Sequence, residues 1–213
     1  MIIAIDGPAG SGKTTVAKLL AKKLNICRLD TGATYRALTL KALDARCDLH
    51  NSLSLKELAK SLDLKIEKEK IYLDGKEVTE ALRTPLIDKN ISLVVSHPEV
   101  REVMVALQRN LAASCDFVVE GRDITTVVFP NAEYKFYLDA AFEIRVQRRF
   151  QEVAQKKIDI GYKELSEDLR KRDEADKNRK TGPLRLSPDA CYVDTTNLTI
   201  EGVVEELAAY IKK

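Results

Sequence analysis

Residues 7–14 read Gly7-Pro8-Ala9-Gly10-Ser11-Gly12-Lys13-Thr14, the G-x4-G-K-[ST] spacing of a phosphate-binding loop. Glycines at 7, 10 and 12 allow backbone torsions closed to other residues, so main-chain N–H groups can close on anionic oxygens. Lys13 brings a full positive charge, and the hydroxyl of Thr14, or of Thr15 beside it, is a ligand type suited to magnesium. Phosphate held there lies at a helix N-terminus, where unpaired amides and the helix dipole favour negative charge. The chemistry so specified is the binding of a nucleoside triphosphate.

Three further groups of residues carry chemistry. Asp30-Thr31-Gly32-Ala33-Thr34-Tyr35-Arg36 follows a short apolar run, so Thr31 and the chain around Gly32 are expected to cap a helix that presents Tyr35 and Arg36 to a ligand. Glu120-Gly121-Arg122-Asp123 closes another apolar run, where an acidic residue can order a metal-bound water. Arginines gather at Arg145, Arg148 and Arg149, then at Arg170, Arg172 and Arg179. The spacing of four puts Arg145 and Arg149 on one helical face. Planar guanidinium groups stabilise the charge that spreads over phosphoryl oxygens during transfer.

These residues need a frame. Ile2–Ile5, Ile26–Leu29, Phe117–Val119, Tyr134–Leu138 and Ala190–Val193 are short apolar runs separated by amphipathic stretches. That alternation predicts an α/β fold, with a parallel sheet covered by helices and ligands bound beyond the carboxyl ends of the strands. From Leu64 to Val78 the pattern changes to strict alternation with Asp74-Gly75 as a turn, which predicts a small antiparallel insert. Helices are expected over Leu82–Leu111, with a break at His97-Pro98, over the charged stretch Arg145–Lys180, with a break at Gly161, and over Ile200–Ile211. Lys65–Lys70 reads as a solvated charge run.

The chain has 213 residues with 45% hydrophobic content, enough for one substantial core and a small appended subdomain. A net charge of +2 gives no global attraction to nucleic acid or an anionic membrane, and any anion site must be local. Cys27, Cys47, Cys115 and Cys191 form no C-x-x-C pair and are expected as buried, reduced thiols. No apolar run approaches the roughly 18 residues that span a bilayer, and the chain begins on its first strand, so a cytoplasmic protein is expected. The D-x-x-G and N-K-x-D elements of a GTP-dependent switch are absent. An RNA-binding module is disfavoured by near-neutral charge, few aromatics and the lack of Trp.

Taken together, the motifs at 7–15, 30–36, 120–130, 145–149 and 172–179 resemble the bacterial cytidylate kinases, within the nucleoside monophosphate kinase superfamily. The resemblance covers essentially the whole chain. It implies a three-layer P-loop kinase fold with a five-stranded parallel sheet, an antiparallel insert that binds the nucleoside monophosphate, and a helical lid. It places the core at about 1–50, 115–145 and 185–213, the insert at about 51–114 and the lid at about 146–184 of a single domain.

By the same resemblance, ATP is the phosphoryl donor, held by Gly7 to Thr15, with Mg2+ near Thr14, Thr15 and Glu120. CMP or dCMP is the acceptor. Thr31, Tyr35, Arg36, Arg122 and Arg179 would surround its phosphate and sugar, Arg172 and Asp176 would lie near the ribose, and Ser92, Arg101 and Asp123 would read the base. Cytosine offers an amine donor that needs an acceptor such as Asp123, and a ring nitrogen and carbonyl that need Arg101 and Ser92. Lys13, Arg122, Arg145, Arg148 and Arg149 would neutralise charge in an in-line transfer. The acceptor phosphate has a second pKa of about 6, so it needs no general base. A monomer is expected, and UMP or dTMP kinase is the nearest rival. The sequence departs from the family pattern in having Glu120 where many members have Asp, and Thr14-Thr15 where many have Gly-Thr.

Overall fold

The structure is a computed structural model describing residues 1–67, 69–155 and 160–211. Position 68 of the expected insert and charge run, and positions 156–159 of the expected lid and helical stretch, lie outside the described residues. The chain resolves into two compact units, Met1–Arg28 with Cys115–Lys213, and Leu29–Ser114.

The first unit is organised by β1 (Ile2–Asp6), whose apolar residues Ile3, Ala4 and Ile5 are fully buried. Such a run needs cover on both edges and both faces. On its edges β1 pairs in parallel with β6 (Phe117–Glu120) and with β7 (Tyr134–Asp139), in register Ile3 to Val118 and Ile3 to Tyr134. The five-stranded sheet runs β2-β6-β1-β7-β8, with β2 spanning Cys27–Asp30 and β8 spanning Cys191–Asp194. The boundary between the units falls inside β2. Helix α1 (Lys13–Leu24) and helix α8 (Ile200–Ile211) cover one face, closing Val16, Leu20, Val203 and Leu207 over Ile3, Ile5, Phe136 and Leu138. Helices α6 (Phe142–Gln155) and α7 (Tyr162–Asn178) pack together, with Arg145 and Arg170 both lying over the Phe142 ring.

The second unit has its own core. Helices α2 (Thr31–Asp44), α3 (Ser52–Lys60), α4 (Pro85–Ser96) and α5 (Pro98–Leu111) enclose Leu38, Leu55, Leu82, Val94, Val100 and Met104. Prolines open α4 and α5 at the position where a helix needs no N–H donor. The antiparallel insert is present as β3 (Leu64–Glu67), β4 (Lys70–Leu73) and β5 (Lys76–Glu77). Asp74 and Gly75 both take positive φ, 49° and 80°, between the paired residues Leu73 and Lys76. That is the tight turn whose twist matches a hairpin.

Two expectations need correction. The cap of α2 is Asp30, whose carboxylate accepts from the Ala33 amide at 3.1 Å, while Thr31 is already the first helical residue. An aspartate one residue earlier reaches the third amide of the first turn, which is the usual capping geometry. The cysteines are not buried: Cys27 and Cys115 are exposed, and Cys47 and Cys191 are half-buried. Cys27 opens β2 and Cys115 precedes β6, so each lies at the end of an apolar run rather than inside it.

Candidate active site

The phosphate-binding loop connects the end of β1 to the start of α1, as its sequence context requires. Gly7 is indispensable there: a Cβ built on it would lie 1.9 Å from the Leu138 carbonyl oxygen. At Gly10, with φ +78°, a Cβ would come within 2.8 Å of the Arg145 carbonyl oxygen. The Lys13 ammonium is folded back into the loop, donating to the Pro8 carbonyl and, at 3.1 Å, to Ser11 Oγ. Burial, with the charge of Arg122 adding to it, pushes the Lys13 pKa well below its ordinary value. An anion entering the loop would favour the charged form again.

Asp6, the last residue of β1, is fully buried and fixes the chain that follows β6. Its two oxygens accept from the Ile124 amide at 2.8 Å, the Thr125 amide at 2.7 Å and the Thr125 hydroxyl at 2.6 Å. Burial raises its pKa to about 6 against these three bonds, which work in the other direction. Asp6 therefore anchors the turn carrying Arg122 and Asp123 to the strand that delivers the phosphate loop.

Glu120 is the last residue of β6, and its side chain is 4% exposed. One oxygen accepts from the Thr14 hydroxyl at 2.8 Å, the other from Arg28 Nη1 at 3.0 Å. With its proton given to Glu120, the Thr14 oxygen keeps its lone pairs for a cation. Among the described residues no group of three or more His, Cys, Asp or Glu is placed to hold a metal ion. A hydroxyl and one carboxylate are hard oxygen donors, too few for a protein cage but suited to magnesium that takes further oxygens from phosphate and water.

Beyond Glu120 the charges interlock. Arg122 Nε donates to Asp176 Oδ2 at 2.8 Å, and Arg179 lies 3.7 Å from Asp176 and 3.8 Å from Asp123. Arg179 also donates to the Gly182 carbonyl. Burial pushes the Asp176 carboxyl up, but Arg122, Arg172 and Arg179 outweigh it and hold it below the ordinary value. Burial opposes the charge of Arg122, and the carboxylates around it, Asp176 foremost, more than restore it. The cluster presents two half-buried guanidinium groups neutralised by protein carboxylates, an arrangement that can exchange carboxylate for phosphate oxygens.

The arginines of α6 are placed differently from one another. Arg145 is buried, donating to the carbonyls of Ala140 and Ala9 at 3.1 and 3.0 Å and to Asp173 at 2.6 Å. Arg148 donates to Thr195 Oγ1 at 3.0 Å and to its carbonyl at 2.6 Å, and Thr195 Oγ1 in turn bonds the Ser11 carbonyl at 3.2 Å. Arg149 pairs with Glu152 at 2.8 Å. The shared face expected for Arg145 and Arg149 thus separates into one buried and one solvent-side group, while Arg145 and Arg148 both brace the phosphate loop.

Within the second unit, Arg101 on α5 is 2% exposed and its guanidinium lies 5.6 Å from the centre of the Tyr35 ring. Arg36 donates to Asp88 at 2.6 Å and to the Leu82 carbonyl at 3.2 Å. Thr31 and Tyr35 are buried and Ser92 is exposed. Gln108, seven residues after Arg101 and so on the same helical face, is fully buried, donates to Thr34 Oγ1 at 2.9 Å and leaves its Oε1 without a hydrogen-bond partner.

Sequence reasoning did not single out Asp6, Arg28, Gln108 or Thr195. Asp6 carried a signal, a lone carboxylate ending an apolar strand directly before the loop, and Gln108 had its spacing from Arg101. Arg28 and Thr195 act through partners distant in sequence, which no local pattern encodes.

The cytidylate kinase family model matches residues 3–213. A cytidylate kinase from Caldanaerobacter subterraneus subsp. tengcongensis is 46% identical over 211 residues, covering 99% of this chain and 94% of the relative. One from Clostridium botulinum (strain Loch Maree / Type A3) is 44% identical, covering 99% and 97%. In fold, a shikimate kinase from Bacteroides thetaiotaomicron superposes with a TM-score of 0.51 at 14% identity, covering 100% of this chain and 99% of that one.

Proposed function

The chain belongs to the cytidylate kinase family, and on that premise we propose how its residues divide the work of phosphorylating CMP and dCMP. It is a nucleoside monophosphate kinase, a phosphotransferase whose acceptor is a phosphate group and whose donor is ATP. The observation that carries this reading is the family match over residues 3–213, on a chain whose Lys13 is folded into a phosphate-binding loop.

The loop Gly7 to Thr15 takes the ATP phosphates through its amides, and Lys13 exchanges the Pro8 carbonyl and Ser11 hydroxyl for phosphate oxygens. Thr14 and Glu120 are the residues that would hold Mg2+, and the hydrogen bond between them supports Thr14 over Thr15 as the hydroxyl. When bound, that ion supplies charge neutralisation on the transferring phosphate.

Arg122 and Arg179 take the CMP phosphate, and Arg172 and Asp176 the ribose. Asp123 accepts from the exocyclic amine of cytosine. In the second unit Thr31, Tyr35 and Arg36 serve the phosphate and sugar, and Ser92 and Arg101 the base. Uracil would set a carbonyl against Asp123 and leave buried groups unpaired, which supports discrimination. The acceptor is already anionic at neutral pH, with a second pKa of about 6, so the residues orient and neutralise rather than abstract a proton. Arg145 and Arg148 hold the loop in shape and, with Arg149, form the lid's positive charge.

No helix among the described residues is long and apolar enough to cross a membrane. We take the enzyme as a cytoplasmic monomer acting on small molecules, without nucleic acid or membrane partners.

The test is ADP release, coupled to a spectroscopic assay, with CMP, dCMP, UMP, dTMP and AMP in turn. CMP and dCMP should be the preferred acceptors. Faster turnover on UMP or dTMP would overturn the assignment of the base.

A further inference from the structure

We propose that Cys27 and Cys115 are a site of reversible disulfide formation, at the edge of the sheet opposite the phosphate-binding loop. The Cys115 thiol donates to the Cys27 sulfur at 2.8 Å, and both residues are exposed. Their backbones are held side by side, since the Cys27 amide donates to the Asp116 carbonyl at 2.9 Å as β2 runs along β6. Neither residue is disulfide-bonded in the structure. Cys47 and Cys191 lack this arrangement: each is half-buried, and Cys47 Sγ bonds the Asp48 carbonyl.

The placement in the chain gives the pair its meaning. The polypeptide passes between its two compact units twice, between residues 28 and 29 and between residues 114 and 115. Cys27 lies two residues before the first crossing and Cys115 directly after the second. A bond between them ties both connecting segments together at their roots within the first unit. Glu120 and the phosphate loop lie at the other ends of the strands, so the bond forms without touching the residues assigned to catalysis.

The oxidant class is a hydroperoxide, and the chemistry balances. Both thiols are exposed, and Cys115, just before β6, is taken as the one that attacks as its thiolate. Its sulfur attacks a peroxide oxygen; an S–O bond forms, the O–O bond breaks, and the leaving hydroxide takes a proton to become water. The Cys27 sulfur then attacks the sulfenic sulfur; the S–S bond forms, the S–O bond breaks, and the oxygen departs as a second water. Two thiols are oxidised and one peroxide is reduced. In a reducing compartment such a bond is transient, formed under oxidant and reversed by thiols.

The experiment treats the whole protein with hydrogen peroxide or dithiothreitol, followed by peptide mapping without reduction and by thermal melting. A peptide pair joining Cys27 to Cys115 should appear in the wild type and in a Cys47→Ser/Cys191→Ser double variant. It should be absent from Cys27→Ser and from Cys115→Ser, and dithiothreitol should remove it. Because the bond closes a long loop in the unfolded chain, the oxidised form should melt on the order of 10 °C higher. Overoxidation of both thiols without a link, in protein whose circular dichroism is native, would overturn the proposal. So would peroxide-induced links that pair Cys47 or Cys191 instead.

Discussion

The Arg28 guanidinium lies 3.0 Å from the Glu120 carboxylate, a pair formed between neighbouring strands with the acid almost wholly out of solvent. Glu120 spends its other oxygen on Thr14, so Arg28 fixes the orientation of a hydroxyl it does not touch. Replacing Arg28 by Met should remove one ionic partner of a buried carboxylate and loosen its orientation. A hydrogen bond to a charged group is worth about 1.5–3 kcal/mol. The Mg2+ concentration giving half-maximal rate should rise by about tenfold or more, with ATP binding in the absence of metal little changed. Isothermal titration of both the metal–nucleotide complex and free ATP checks this.

Lys13→Met removes the one side-chain charge inside the loop while keeping its aliphatic stem. Turnover should fall by roughly a hundred- to a thousandfold, the range seen when a positioned electrostatic group is removed. The fold should persist with a melting temperature equal to or above the parent's, since burial already disfavours the ionised lysine. Steady-state rates and thermal denaturation by circular dichroism measure the two effects.

Asp6 is the source of a pH dependence of stability whose sign is unusual for a carboxylate. Its folded pKa, about 6, lies above the ordinary carboxylate value of 3.8. Between those values the native state binds more protons than the unfolded state, so Asp6's contribution is full below the lower value and is lost as pH rises through the upper one. The loss is on the order of 3 kcal/mol. Urea unfolding between pH 4 and 7 should show this slope, and Asp6→Asn should abolish it. The variant should also lose activity at neutral pH, because an amide offers a donor where Ile124 and Thr125 present donors.

Asp123→Ala should raise the KM for CMP by at least about tenfold, the cost of one charge-assisted bond to the base, while KM for ATP stays within about twofold. The preference for CMP over UMP should shrink accordingly. Competition between the two acceptors in one reaction, read by the ratio of their diphosphates, gives that preference directly. A variant that kept its full preference would place base reading elsewhere.

Gly10→Ala should be more damaging than its single methyl suggests. The φ of +78° is strained for alanine, and the Cβ would come within 2.8 Å of the Arg145 backbone. Activity should fall sharply. The melting temperature should fall by several degrees with it, since a backbone contact has little room to yield.

The local elements and the loop are encoded in short stretches of chain. An apolar strand, three glycines, a lysine and a helix are contiguous, so the Gly7–Thr14 turn is encoded within one stretch of chain. The Asp74-Gly75 turn, the breaks at Pro98 and Gly161 and the limits of α8 were legible for the same reason, because turn chemistry and helical period act over a few residues. Which charged groups face one another depends on how the strands assemble. That Arg28 meets Glu120, that Asp6 holds Ile124 and Thr125, that Arg148 reaches Thr195, and that Cys27 meets Cys115 follow from the strand order β2-β6-β1-β7-β8. Such pairs join residues far apart in the chain, and their strength depends on burial and distance, which the sequence specifies only through the fold as a whole.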